Sequence, residues 1–193
     1  MTGSGGTLAT LRQHTRLLVL VMLFLCLSMT SCGGSKPATS PNNSPNATEH
    51  AQPVHAAPSA TAKMICAPEA QTDLAAVVGV HTTQPVVPAW TDHIYSCRYI
   101  YRNAVMVLSV KELSSKSETD GYFTALKHRL GQTLDLGESA FTTRNRSVVV
   151  RKDYKVLLVD ISGLPGRFGD PPFSRGRIAI KVAATIMNCW TGA

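Results

Sequence analysis

From Gly33 to Thr61 the chain is dominated by Ser, Thr, Asn, Pro, Ala and Gly, with Pro37, Pro41, Pro45, Pro53 and Pro58 spaced through it. Such a stretch cannot bury enough apolar surface to offset the entropy of ordering it, so folding is confined to the residues C-terminal to it. The region from about Lys63 to Trp190 is near the commonest single-domain size and long enough for a modest core. One domain is expected over residues 63–193, preceded by a disordered tether over residues 32–62.

Ahead of the spacer, Arg12 and Arg16 precede a continuous apolar run from Leu17 to Met29. A basic start, an apolar middle and a small residue at the end is the order of an export signal. Met29-Thr30-Ser31-Cys32 closes the run and resembles a bacterial lipobox, with small Ser31 before a thiol that would take up a diacylglyceryl group. Residues 1–31 are therefore expected to be a lipoprotein signal peptide, with Cys32 the acylated first residue of the mature chain. Met29 stands where Leu is usual. Leu25 before Cys26 is too bulky for the same cleavage, and the apolar run is shorter than the about 20 residues of a spanning helix. Two or more acyl chains, at about 0.8 kcal/mol per buried CH₂, would hold the domain on a lipid bilayer. The localisation this implies is the outer face of the cytoplasmic membrane, lipid-anchored and extracytoplasmic.

The chain carries 19 basic and 12 acidic residues, a net charge of +7. Only Arg12 and Arg16 fall in the leader, so the mature chain stays mildly basic, compatible with anionic headgroups or envelope phosphates. A nucleic acid partner is not expected outside the membrane. Arg144, Arg146, Arg151, Lys152 and Lys155 alternate with strand residues and fit a solvated outer face. Cys66, Cys97 and Cys189 remain after Cys26 and Cys32. One disulfide is expected in this compartment, and spacing leaves all three pairings open. No two of them form C-x-x-C, which argues against a redox or zinc site.

Cys66-Ala67-Pro68-Glu69 opens a helix, with Ala70, Leu74, Val77 and Val78 at core spacing and Gly79 as its stop. Ile94 to Tyr101 alternates as a strand, Arg102-Asn103 provides a two-residue turn in which Asn tolerates positive φ, and Ala104 to Lys111 returns. Ser117-Glu118-Thr119-Asp120 fits a capping pattern before a helical stripe of Tyr122, Phe123, Leu126 and Leu130 that stops at Gly131. Glu138 to Thr143, Ser147 to Lys152 and Lys155 to Ser162 form a meander, and the breakers from Gly163 to Phe173 make a loop. Ile178, Val182, Thr185, Ile186 and Cys189 predict a final helix. The expected class is α+β: an antiparallel sheet of about five strands packed with three helices, in the order αββαβββα.

Several of these features in sequence resemble the small actinobacterial cell-envelope lipoproteins whose extracytoplasmic domain has no assigned activity. They are Cys32 with its Ser/Thr/Pro spacer, Cys66 at the first helix, Cys97-Arg98-Tyr99 in the first strand, Leu136-Gly137-Glu138-Ser139-Ala140-Phe141, and the closing helix. The resemblance covers about residues 16 to 190 and implies a disulfide between Cys66 and Cys97, leaving Cys189 outside the pattern. A looser resemblance is to PsbP-like α/β sandwiches, which some envelope lipoproteins use to bind other proteins or lipids.

Motifs for chemistry are sparse. The sequence holds no H-E-x-x-H, G-x-S-x-G, P-loop or dinucleotide fingerprint. His81 and His93 flank one loop near Asp92, and Asp153 and Asp160 fit turn and strand roles better than a carboxylate pair. No catalytic residue, metal or cofactor is expected. Tyr95, Tyr99 and Tyr101 share one strand face and with Trp90 form the candidate binding surface, although the same rings could pack under a helix; Trp190 after the last helix could extend that patch, or both Trp residues could seal the two ends of the core. The function expected is a non-enzymatic binding or accessory module at the cell envelope, acting on a protein or an envelope lipid; the alternative is an envelope hydrolase.

Overall fold

The computed structural model describes residues 56–127 and 132–190. The expected signal peptide, Cys32 and the expected spacer up to residue 55 lie outside the described residues, as do Leu130 and the expected helix stop at Gly131. Among the described residues no helix is long and apolar enough to cross a membrane.

The fold is α+β, with a large antiparallel sheet between helices. Four helices are described: α1 (Ala60–Lys63), α2 (Pro68–Val78), α3 (Lys116–Lys127) and α4 (Arg175–Trp190), with a 3₁₀ turn, Met64–Cys66, joining the first two. The strands are β1 (Pro88–Thr91), β2 (Ile94–Tyr101), β3 (Ala104–Glu112), β4 (Thr133–Leu134), β5 (Ser139–Thr142), β6 (Val148–Lys152), β7 (Lys155–Asp160), β8 (Arg167–Phe168) and β9 (Phe173–Ser174). Seven of them form one sheet in the order β1-β2-β3-β7-β6-β5-β4, and β8 pairs with β9 separately. Every pairing is antiparallel.

The expected five strands are present, and the additions are β1 and β4 at the two edges of the sheet and the separate β8–β9 pair. β1 begins at Pro88, which cannot donate to a ladder and so suits an edge. Its turn into β2 places Asp92 and His93 at φ 50° and 59°, a two-residue hairpin made without glycine. Arg102-Asn103 turns the next hairpin without a positive φ. The breaker-rich segment expected as loop folds back as β8 and β9. A fourth helix, α1, lies in what composition assigned to the spacer: Ser59 caps it by accepting from the Ala62 amide at 3.2 Å. Ser59 is itself held from afar, its amide and hydroxyl both donating to the Glu112 carboxylate.

Strand alternation divides the core in two. One sheet face carries Tyr95, Cys97, Tyr99, Met106, Leu108, Leu157 and Val159 against Leu74 and Val78 of α2 and Ile178, Val182 and Ile186 of α4. The opposite face carries Phe141, Val149 and Val156 against Phe123 of α3. The described residues thus form three layers, with α2, α4 and the short α1 on one side of the sheet and α3 on the other.

Cys66 and Cys97 form a disulfide, with Cα atoms 5.7 Å apart. Cys189 is buried on α4 and takes no part in it. Cys97 alternates onto the same face as the tyrosines, so the bridge draws the Met64–Cys66 turn down over them.

Candidate functional site

Helix α3 covers only part of its sheet face. Ser115 caps it, two residues earlier than the sequence pattern suggests: its hydroxyl accepts from the Glu118 amide, and Glu118 Oε2 reaches back to the amide and hydroxyl of Ser114. These bonds, led by the Ser114 hydroxyl, hold the Glu118 carboxyl below the usual carboxylate range. Arg151, expected on a solvated face, instead ties α3 down. It pairs with Asp120, lies 3.6 Å from Glu138 Oε2 and stands 5.8 Å over the Phe123 ring. Fixed by these contacts, α3 leaves a groove beside it of about 550 Å³.

The floor of the groove is mixed. Leu158 of β7 and Ile94 of β2 give it part-exposed apolar surface, Val149 and Val156 lie buried beneath, and Ser109 and Lys111 of β3 stand between β2 and β7; Tyr122 and Leu126, one helical turn apart on α3, line it as well. Arg144 in the β5–β6 turn and Asp160, which closes β7, complete its polar lining. Asp160 Oδ1 already accepts from Ser147 Oγ at 3.1 Å and the Ser162 amide at 2.9 Å. Lys111 donates to the Asp92 carbonyl. Arg144 is exposed and makes no hydrogen bond or ion pair among the described residues.

The expected aromatic surface is interior. Tyr95, Tyr99 and Tyr101 are 9%, 1% and 5% exposed, covered by the disulfide-linked turn and α2. Tyr99 donates its hydroxyl to the Ile65 carbonyl at 2.6 Å. Burial pushes all three phenols up, Tyr101 to about 12. Trp90 is half-buried beside Tyr95, donating to the Ala56 carbonyl at 3.0 Å, and Trp190, the last described residue of α4, is buried. These rings seal the core and hold the incoming chain.

A smaller pocket of about 340 Å³ brings His81 to the edges of Tyr99 and Tyr101, with Thr72 and Thr82 beside them. His93 lies instead against Trp90, ring centroids 5.8 Å apart. Asp153 takes a left-handed turn position at φ 52°, as its turn role requires. Among the described residues no group of three or more His, Cys, Asp or Glu is placed to hold a metal ion.

The groove escaped the sequence reading, though its signal was present. Ile94, Val149, Val156 and Leu158 occupy the face opposite the tyrosines, and apolar side chains on both faces of one sheet require cover on both sides. Comparison with protein-family models, characterised proteins and solved structures finds no match.

Proposed function

We propose that this chain is a lipid-anchored binding module of the cell envelope, held at the outer face of the cytoplasmic membrane by acylated Cys32. It presents the groove beside α3 to an envelope lipid or protein. The observation that carries this reading is the groove, where Ile94, Leu158, Tyr122 and Leu126 keep part-exposed apolar surface beside the helix that covers the rest of that face. Its volume of about 550 Å³ falls in the range of small-molecule sites, about 300–1,000 Å³. Hydroxyls and charges in the lining, from Ser109, Lys111, Arg144 and Asp160, supply orientation while its apolar side chains supply affinity.

The test is a photo-crosslinking amino acid at Tyr122 in the full chain, irradiated in intact cells, against the same residue at exposed Val87, which does not line the groove. A distinct adduct from Tyr122 alone is the expected result; indistinguishable adducts from both sites reject the groove. The anchor is tested separately. Cys32→Ala should move the protein out of the detergent phase and abolish acyl labelling, since lipid supplies nearly all the membrane affinity.

A further inference from the structure

We propose that two pockets meeting at His81 and Tyr101 form a second binding site, separate from the groove, for a small organic anion. One, of about 340 Å³, lies between α2 and the segment 80–82; the other, of about 330 Å³, is lined by Arg102 and Asn103 of the β2–β3 hairpin and by Pro165 and Phe168. Val80, His81 and Tyr101 line both. The observation that points to a ligand is the Tyr101 hydroxyl. Tyr101 is 5% exposed, yet its hydroxyl makes no hydrogen bond among the described residues, whereas Tyr99 on the same face satisfies the Ile65 carbonyl. A buried polar group without a partner is costly unless an occupant of the site supplies one. The ring is held edge-on to Phe168, with centroids 4.9 Å apart. Burial pushes the phenol up to about 12, so it stays protonated and presents a donor.

Charge selects the class of occupant. Among the described residues neither pocket is lined by an Asp or Glu, so a cation would meet no carboxylate. Arg102 brings a guanidinium that makes no hydrogen bond or ion pair among the described residues, and the Thr82 hydroxyl and Asn103 amide are further donors. The surroundings add positive charge: Arg167 precedes Phe168 on β8, and Arg175 and Arg177 open α4, which the Arg175 amide ties to the Gly166 carbonyl at 3.1 Å. The acids at this end are Asp160, whose Oδ1 accepts from Ser147 and Ser162, and Asp170, and neither lines these two pockets. Donors without acceptors of charge, in a basic field, favour a carboxylate or a phosphate ester.

The full chain in detergent is titrated with glycerate, glycerol 3-phosphate and uncharged glycerol, and binding is followed by the His81 ring-proton signals, assigned through their loss in His81→Asn. Both anions should shift His81 saturably where glycerol does not, and the tighter of the two names the head group. Arg102→Gln and Tyr101→Phe should each weaken anion binding about tenfold, as loss of a charge-assisted hydrogen bond does. Tyr101→Phe should do so without lowering the denaturation midpoint, because it strands no partner, in contrast to Tyr99→Phe, which strands the Ile65 carbonyl. Equal shifts with glycerol, or anion affinity unchanged in Arg102→Gln, overturn the anion assignment. No saturable shift with either anion, or affinity unchanged in Tyr101→Phe, overturns the site. A midpoint lowered in Tyr101→Phe as far as in Tyr99→Phe shows that the Tyr101 hydroxyl is satisfied within the protein, and removes the ground for a ligand there.

Discussion

Tyr99 shows how one residue can carry a fold while imitating a binding residue. Its ring is interior and its hydroxyl satisfies the Ile65 carbonyl, which lies under the same cover. Tyr99→Phe keeps the packing and strands that carbonyl, so unfolding stability should fall by about 1–2 kcal/mol with ligand capture in the groove unchanged. Denaturant midpoints alongside crosslinking at Tyr122 check both halves. Glu118 acts at the opposite extreme, on the surface. Because its pKa is lowered in the folded state, its contribution is present above the ordinary carboxylate range and is lost as pH falls through the depressed value. Glu118→Gln should therefore cost less than about 1 kcal/mol at neutral pH, given its exposure, and nothing in strong acid. Urea midpoints of both proteins across that range would show the two curves converging.

At the scale of elements, local chemistry was legible wherever a residue's own backbone preference decided the outcome. Gly79 ends α2 at φ 75°, and any Cβ there would run into the Asp170 carbonyl. The same place joins two elements, since the Asp170 amide donates to Val78 at 2.9 Å. Gly79→Ala should thus lose about 2 kcal/mol or more, from left-handed strain and displacement of the β8–β9 segment together, measurable as a fall in Tm. The hairpin at 102–103, the meander and the long helices were likewise readable from alternation and stripes. What alternation could not say was which side of β2 faces inward, because Ile94 and Ile100 on one side and Tyr95 and Tyr99 on the other are all apolar enough to be core. Nor could it show β1 or β4, whose brief edge pairings depend on a neighbouring strand more than on their own sequences. The groove was invisible for a related reason: it is the part of a face that α3 fails to cover, and that depends on where Arg151 and Asp120 pin the helix.

The whole molecule is organised by the disulfide on one side of the sheet and the groove on the other. Cys66–Cys97 closes a loop with a sequence separation of 31, worth about 3–4 kcal/mol in the chain-entropy model. The bridge also fixes the cover over the tyrosine face, where Ser59 on Glu112 and Ala56 on Trp90 continue the same strap. A Cys66→Ser, Cys97→Ser double variant should lose that stability and become more cleavable by protease within residues 56–66, because the strap is then held only by its hydrogen bonds and the burial of Ala62 and Ile65. The groove takes its lining from β2, β3, β6, β7 and α3, and on the α3 side it has its own small core of Phe123, Phe141 and Val149, so it should keep its adduct at Tyr122 below the lowered melting point. Limited proteolysis and crosslinking on the same preparation separate the two effects. If the groove is lost together with the strap while the sheet remains folded, the two faces are coupled through the sheet, and ligand binding would then depend on the oxidation state of a bond on its far side.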